Sequence, residues 1–190
     1  MMKGFVGFWQ AFLLMGLFGL VALFYQGLWG DPTALPPVII EEPASEIVAP
    51  DLYSGEEFRL SEHLGKVVVL NFWASWCLEC KLEHKFLLAI QKRFENRADF
   101  VMYGVNYQDK ARLAKAYLQQ HGNNFKHVID AKGKISIDYG VYGVPETFII
   151  DKKGVIRHKV IGPVLGDGYS DLVENIIEPL LNDSELGLTS

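Results

Sequence analysis

The sequence is poor in cysteine, because its 190 residues include only Cys77 and Cys80. A structural zinc site needs four ligands, and no second cysteine pair is present to supply them. Covalent haem attachment needs a histidine directly after the second cysteine, where this chain has Lys81. One pair also leaves no spare cysteines for a disulfide framework. We therefore expect the two thiols to serve chemistry rather than structure.

The sequence also lacks an excess of basic residues. Asp and Glu number 23 against 18 Lys and Arg, which gives a formal net charge of −5 at pH 7. Nucleic-acid-binding proteins usually carry a basic patch or stripe. We therefore expect no nucleic-acid partner, and we interpret the modest negative charge as an aid to solubility.

Charge is absent from a long segment near the start of the chain. Residues 5–25 are apolar or glycine except for Gln10. A helix of this length spans roughly 30 Å, the thickness of the hydrocarbon core of a bilayer. The run is longer than a typical signal-peptide core, and no small-x-small cleavage site follows it. We predict a retained N-terminal transmembrane helix within residues 1–29.

The charges on the two sides of this segment predict its orientation. Lys3 precedes the segment, whereas no Lys or Arg follows until Arg59. The positive-inside rule then places the N-terminus in the cytoplasm and the rest of the chain across the membrane. We predict a single-pass protein of the bacterial inner membrane with its C-terminal domain in the periplasm, an oxidising compartment.

The composition changes twice after the apolar segment. Residues 30–50 contain five of the eight prolines, which predicts an extended, Pro-rich linker. Residues 38–40 are apolar and are open to a second interpretation, in which they dock on the domain. Residues 51–190 have the usual length of one domain, and no internal repeat divides them.

Strand-like and helix-like segments alternate along this predicted domain. Short apolar runs predict strands, and segments of helical periodicity predict helices. The predicted strands are residues 67–72, 100–105, 125–129, 147–150 and 155–161. The predicted helices follow Lys81, cover residues 110–121, and form a stripe over residues 172–181 that Pro179 should interrupt. This order favours an α/β fold with a mostly parallel sheet and an antiparallel pair near the end.

The cysteines lie where the first predicted strand meets the first predicted helix. Residues i and i+3 of a helical turn share a face, so Cys77 and Cys80 are close enough to form a disulfide. The free N–H groups and the dipole of a helix N-terminus stabilise a thiolate at Cys77. The thiolate is the nucleophile of disulfide exchange. The pattern therefore predicts a thiol–disulfide oxidoreductase in which Cys77 attacks the substrate and Cys80 resolves the mixed disulfide.

Val144 and Pro145 lie just before the predicted strand at residues 147–150. A proline has no N–H for a sheet ladder, which suits a strand start or a cis turn, and an ordinary trans proline is the alternative. This position would present backbone groups beside the thiols for pairing with an extended peptide.

These motifs resemble those of a known family. Residues 72–80, Phe-Trp-Ala-Ser-Trp-Cys-Leu-Glu-Cys, are similar to the thioredoxin active site, and Val144-Pro145 is similar to its cis-proline segment. More narrowly, residues 80–84, 104–109 and 140–148 resemble the membrane-anchored, thioredoxin-like proteins of cytochrome c maturation, the CcmG/DsbE family.

The resemblance implies a thioredoxin-like fold, in which helices flank a central mixed sheet, with an inserted segment around residues 106–129 and a cis Val144–Pro145 bond. It implies a reductase that keeps the cysteines of apocytochrome c, or of a maturation partner, reduced for haem attachment. Electrons would come from a membrane dithiol donor of the DsbD/CcdA type. No cofactor beyond the redox-active Cys77–Cys80 disulfide is expected.

Two features depart from thioredoxin itself. Asn71 stands where thioredoxin carries a buried carboxylate that assists proton transfer from the resolving cysteine. A neutral amide cannot accept that proton, so Glu83 and Glu146 are candidate bases; for each, the alternative is a carboxylate exposed to solvent. Glu79, between the cysteines, should disfavour the Cys77 thiolate.

Three aromatic residues complete the predicted site. Trp73 and Trp76 are expected to pack around the thiols and shield them, with ordinary packing at a strand end as the alternative for Trp73. Tyr142 is expected to flank a substrate groove.

Two other functions remain open at this stage. The cysteine spacing does not choose a direction of exchange, so a general periplasmic oxidoreductase of the TlpA/ResA type fits it as well. A copper chaperone would use the thiolates of Cys77 and Cys80, with His84 as a third ligand.

Overall fold

The computed structural model describes residues 3–28 and 40–183, and in the first helix it describes the side chains of Trp9 and residues 12–25. This helix, α1 (Lys3–Leu28), belongs to the first of two units into which the chain divides. The described large apolar side chains of α1 are exposed. Within the described part of the chain, no helix combines the length and the hydropathy needed to cross a bilayer. The predicted transmembrane helix is therefore not confirmed.

The second unit is built on a mixed five-stranded sheet with the order β5-β4-β3-β6-β7. Strands β3, β4 and β5 run parallel, whereas β6 pairs antiparallel with β3 and β7 pairs antiparallel with β6. A separate hairpin joins β1 to β2. The strands are β1 (Val48–Pro50), β2 (Glu57–Arg59), β3 (Val67–Trp73), β4 (Phe100–Tyr107), β5 (Lys126–Asp130), β6 (Glu146–Ile150) and β7 (Ile156–Ile161). The predicted mixed sheet with an antiparallel pair at its end is confirmed.

Helices cover both faces of this sheet. They are α2 (Leu78–Phe94), α3 (Ala111–His121), α4 (Lys134–Asp138), α5 (Gly166–Asp171) and α6 (Glu178–Asn182), with a short 3₁₀ helix at Leu60–His63. All seven residues of β3 are buried, as expected for a central strand packed on both sides. Its side chains alternate between the two faces. Val68 and Leu70 pack in a cluster with β1, β2 and α4, whereas Val67 and Val69 pack with α2 and the C-terminal helices.

The predicted interruption at Pro179 takes the form of a π-helical turn. This turn, Leu172–Ile177, joins α5 to α6, and Pro179 lies in the first turn of α6. A proline has no N–H and its ring crowds the carbonyl four residues earlier. A wider turn placed just before the proline accommodates both effects, so the helical path continues to Asn182.

The described part of the predicted linker, residues 40–50, packs against the domain. Ile47 is fully buried and Ala49 is nearly so, and Ala49 pairs with Phe58 across the β1–β2 hairpin. The domain therefore begins before the boundary predicted from the proline count. Ile47, directly before β1, and Ala49, within it, alternate with exposed residues and form one buried face, which the nearby prolines had argued against. The rest of the predicted linker, residues 30–39, lies outside the described residues.

Candidate active site

Cys77 and Cys80 form a disulfide at the N-terminus of α2, with their Cα atoms 5.3 Å apart. Cys77 is the N-cap residue, and its Sγ accepts a hydrogen bond from the amide of Cys80 at 3.0 Å. Cys77 is 5% exposed and Cys80 is 2% exposed. Both cysteines are therefore buried, with Cys77 slightly the more exposed of the two. After reduction the same amide can stabilise a thiolate at Cys77.

The segment between β3 and α2 is held by Asp109, which follows β4. Ser75 donates its amide to Asp109 Oδ2 at 2.7 Å and its hydroxyl to Oδ1 at 3.1 Å. The amide of Cys77 donates to the carbonyl of Ala74 at 3.2 Å. Because β3 and β4 are parallel neighbours, their carboxyl ends meet at one edge of the sheet. Asp109 ends the family-like motif at residues 104–109 but had no predicted role; its place directly after the neighbouring strand is a usable signal.

The cis peptide bond predicted between Val144 and Pro145 is present. The carbonyl oxygen of Val144 lies 3.4 Å from the Sγ of Cys77. The carbonyl of Pro145 accepts a hydrogen bond from the amide of Gly162 at 3.0 Å. Within the described residues, the amide of Val144 takes part in no hydrogen bond of the backbone. Beside Cys77, the backbone of Val144 thus presents an unbonded N–H group as donor and a carbonyl oxygen as acceptor.

Glu83 lies on the inner face of α2 and is fully buried. Its Oε1 accepts a hydrogen bond from Asn71 Nδ2 at 2.8 Å, and its Oε2 accepts one from the amide of Val164 at 2.9 Å. Burial raises the pKa of Glu83 to about 7, although both hydrogen bonds act to lower it. Glu83 follows Cys80 by three residues, so the two side chains share a helix face. The alternative of a solvent-exposed carboxylate is wrong.

Glu146 is also buried, but it is paired with a cation. Its Oε2 lies 2.8 Å from the Nζ of Lys159, and the two side chains are 1% and 3% exposed. Its Oε1 accepts a hydrogen bond from the amide of Tyr142 at 3.0 Å. These contacts assign Glu146 to holding the loop before β6, which leaves Glu83 as the candidate base. No local motif marked Lys159 in the sequence, because its partner lies on another strand.

The predicted aromatic residues take different positions. Trp73 is buried and shares a cluster with both cysteines. Trp76 is 59% exposed, with its Nε1 3.4 Å from the carbonyl oxygen of Gln108. Tyr142 is half exposed in the loop that carries Val144. Shielding of the thiols by Trp76 and a substrate groove beside Tyr142 stay predictions.

The buried face of α2 does not coincide with the apolar residues of the helix in its first two turns. Leu82 is an apolar residue of this helix but is 54% exposed, whereas the polar Glu83 and His84 are buried. The disulfide explains the difference, because it fixes Cys80 inward. Positions three and four residues later then face inward too, whatever side chains they carry.

His127 on β5 holds Trp73 from the side of the sheet. The Nε1 of Trp73 donates to His127 Nδ1 at 3.1 Å, and His127 Nε2 lies 3.0 Å from Asn123 Oδ1. Because an indole can only donate, Nδ1 accepts and Nε2 carries the proton. Burial lowers the pKa of His127 to about 3. This bond crosses β4 at Gly104, where a Cβ atom would lie 2.2 Å from His127 Nδ1.

His84 does not complete a metal site with the thiols. Its Nε2 lies 2.9 Å from the carbonyl oxygen of Gly122. Over residues 3–28 and 40–183, no group of three or more His, Cys, Asp or Glu side chains is arranged to hold a metal ion. The structure therefore gives the copper-chaperone alternative no support.

Sequence comparisons relate the chain to thiol–disulfide proteins. Residues 40–159 match the AhpC/TSA family. The thiol:disulfide interchange protein DsbE of Allochromatium vinosum is 36% identical over 171 residues, which cover 88% of this chain and 92% of that protein. DsbE of Pseudomonas aeruginosa is 35% identical over 177 residues, with coverages of 91% and 95%. DsbE of Escherichia coli is 35% identical over 135 residues, with coverages of 70% and 70%.

Structural comparisons agree with the sequence comparisons. A protein assigned as DsbE from Chlorobium tepidum superposes with a TM-score of 0.68 at 29% identity, covering 75% of this chain and 98% of that one. A thioredoxin-family thiol:disulfide interchange protein from Chlorobium tepidum TLS gives a TM-score of 0.63 at 23% identity, with coverages of 74% and 96%. The mixed sheet flanked by helices is therefore a thioredoxin-like fold.

Proposed function

This chain belongs to the AhpC/TSA family and to the DsbE thiol:disulfide interchange proteins, and we propose that it reduces the cysteines of apocytochrome c, or of a maturation partner, before haem attachment. It is a thiol–disulfide oxidoreductase with the Cys77–Cys80 pair at its centre. One observation carries the proposal: Cys77 Sγ lies 3.4 Å from the carbonyl oxygen of Val144, at the N-terminus of α2.

The first chemical step is attack on the substrate. In the reduced enzyme, the Cys77 thiolate attacks one sulfur of a substrate disulfide. The substrate S–S bond breaks, its second sulfur leaves as a thiolate that takes up a proton, and a mixed disulfide joins Cys77 to the substrate. The amide of Cys80 stabilises the attacking thiolate before the bond forms.

The second step closes the disulfide that the structure contains. Cys80 gives its thiol proton to Glu83 and attacks the Sγ of Cys77. The mixed disulfide breaks, the Cys77–Cys80 bond forms, and the remaining substrate sulfur leaves and takes up a proton. Two electrons have then passed from the dithiol to the substrate. A carboxyl group with a pKa of about 7 suits this transfer, because it can accept and release a proton near neutral pH.

An extended peptide is the substrate form that fits the edge beside Cys77. The free amide and the carbonyl of Val144 can form the hydrogen bonds of a short, added strand. Such pairing would align the cysteine of an unfolded polypeptide with Cys77. Apocytochrome c presents its cysteines in that form before haem is attached.

A membrane dithiol donor of the DsbD/CcdA type would return the Cys77–Cys80 disulfide to the dithiol. We place α1 in the bacterial inner membrane as an anchor, which leaves the redox domain in the periplasm. The described side chains of residues 12–25 support this placement, because all are exposed and all are apolar or glycine apart from the hydroxyl of Tyr25.

Trapping tests the proposal directly. A Cys80→Ser variant cannot resolve the mixed disulfide, so it should accumulate a reductant-sensitive adduct with apocytochrome c in cells that make c-type cytochromes. Non-reducing electrophoresis and mass spectrometry of the membrane fraction would identify the adduct. The Cys77→Ser/Cys80→Ser variant is the control and should form none. Adducts confined to unrelated periplasmic proteins would contradict the cytochrome assignment and favour a TlpA/ResA-type role.

A further inference from the structure

We propose that Lys159 on β7 is a positioning residue for peptide substrates, because it ties together the two ends of the loop that carries Val144. The loop, residues 140–146, is called the Val-Pro loop below. The inference rests on the proposed pairing of an extended peptide with Val144. It adds a residue that determines whether the enzyme prefers a peptide disulfide to a small one.

The ammonium group of Lys159 contacts the Val-Pro loop at three points. It donates to the carbonyl of Gly140 at 2.9 Å, where the loop begins. It pairs with Glu146 Oε2 at 2.8 Å, where the loop ends. It also lies 4.9 Å from the ring centroid of Tyr142, in a cation–π contact near the middle. One side chain therefore spans the loop from its start to its end.

Glu146 passes this restraint on to the backbone of the loop. Its second carboxylate oxygen accepts a hydrogen bond from the amide of Tyr142. The carbonyl of Pro145, the residue before Glu146, accepts a hydrogen bond from the amide of Gly162. Val144 lies between these tied points, with its own amide unbonded and its carbonyl beside Cys77. The restraints fix where Val144 stands without using its hydrogen-bonding groups.

Stability alone does not account for a buried pair of this kind. Lys159 and Glu146 are 3% and 1% exposed. Removing both charges from water costs energy that the Coulomb attraction often fails to recover, and apolar replacements of buried ion pairs are frequently neutral or stabilising. What Lys159 supplies is a hydrogen bond to a particular carbonyl and an ion pair with a particular carboxylate. This geometry orders a loop in a way that an apolar side chain would not.

The restraint that Lys159 places on the Val-Pro loop should affect peptide disulfides and small disulfides differently. A peptide disulfide would use the backbone of Val144 as well as the sulfur of Cys77, whereas a small disulfide would use only the sulfur. Releasing the Val-Pro loop should therefore weaken binding of the peptide more than it slows thiol exchange itself. Lys159 is expected to act on KM for the peptide rather than on kcat.

Kinetics on two substrates test this inference in the full-length chain. One substrate is a synthetic peptide with an oxidised Cys-x-x-Cys-His motif, and the other is bis(hydroxyethyl) disulfide. Lys159→Met removes the cation. Lys159→Met/Glu146→Gln also removes the charge that would be left unpaired, while Gln keeps an oxygen for the amide of Tyr142. Lys153→Met, at an exposed position between β6 and β7, is the matched control.

We expect the ratio of kcat/KM for the peptide to kcat/KM for the small disulfide to fall about tenfold in both Lys159 variants, through KM, as for the loss of one or two hydrogen bonds. The Lys153→Met ratio should stay at the wild-type value. A folded double variant with the wild-type ratio, or an equal loss on both substrates, would overturn the inference. A wild-type chain without any preference for the peptide would instead overturn the proposed pairing at Val144.

Discussion

At the scale of single residues, the buried carboxyl group of the site, Glu83, lies on helix α2, and the neutral amide of Asn71 lies opposite it on strand β3. Asn71 on β3 donates to Glu83 on α2 at 2.8 Å and to Thr147 Oγ1 on β6 at 3.0 Å. The amide therefore orients the carboxylate and does not replace it. The carboxyl proton is held inside the protein, three residues from the resolving cysteine.

Replacing Glu83 with Gln should change how stability depends on pH. Burial raises the carboxyl pKa from 4.5 to about 7, so the folded protein holds this proton more tightly than the unfolded chain does. The free energy of unfolding should therefore fall as pH rises from about 4.5 to about 7, by an amount on the order of 3 kcal/mol. Glu83→Gln should lose this contribution, and it should also close the Cys77–Cys80 disulfide more slowly.

Urea unfolding from pH 4.5 to 8 would measure the first effect, with Glu79→Gln, an exposed carboxylate on the same helical turn, as the control. The quantity to compare is the difference in the free energy of unfolding between variant and wild type at each pH. Burial lowers the pKa of His127 to about 3, so its contribution to stability is lost as pH falls from about 6.5, which is the opposite slope. Parallel pH profiles for wild type and Glu83→Gln would contradict the role assigned to burial.

Replacing Gly104 with Ala should destabilise the domain by roughly 1–3 kcal/mol. The new Cβ would lie 2.2 Å from His127 Nδ1 and 2.7 Å from Trp73 Nε1, so the hydrogen bond across β4 cannot remain as it is. Urea unfolding with tryptophan fluorescence would record both the loss of stability and a changed environment of Trp73. Gly168→Ala is the control, because nothing lies within 4 Å of the added atom. Equal stability of the two variants would show that the sheet tolerates a side chain at residue 104.

At the scale of elements, the dithiol is positioned by the meeting of β3, β4 and α2. The burial of β3 on both faces fixes where the strand ends, and Asp109 after β4 fixes the turn that leads to Cys77. The N-cap then sets the direction in which α2 leaves the sheet. Each part is needed because a loop of only four residues separates β3 from α2, with Cys77 at its end and Cys80 in the first turn of the helix.

The hairpin of β1 and β2 should be part of the folded domain in solution. Ile47 is fully buried next to β1, so Ile47→Ala should lower the free energy of unfolding by about 2–5 kcal/mol. Val48→Ala, at a neighbouring position that is 46% exposed, should change it by no more than about 0.5 kcal/mol. Urea unfolding would compare the two. Equal stabilities would restore the sequence interpretation of these residues as a tether.

At the scale of the whole molecule, the proposal joins a redox domain to an anchor that keeps it near its electron donor. Full-length protein should fractionate with membranes and support holocytochrome c formation. A chain that starts at residue 40 behind a cleavable signal peptide should be released to the periplasm and should support several-fold less at equal abundance, because tethering raises the local concentration of partners. Cell fractionation and haem staining would measure both. Full-length protein in the soluble fraction would contradict the anchor.

Features that depend on near neighbours could be predicted from the residues alone. The cysteine spacing, the strand–helix junction, the mixed sheet and the cis bond before Pro145 all follow from short patterns or from motifs of a few residues. The interruption before Pro179 does so too, since a proline acts on its own helical turn.

The pairing of the buried polar groups around the site is visible only in the folded chain. Glu83 finds Asn71 at a separation of 12 residues and Val164 at a separation of 81. Lys159 reaches Glu146 from the neighbouring strand. The reason is physical: a buried polar group must be satisfied by whatever partner the packed fold brings within reach, and no local pattern of residues specifies that partner.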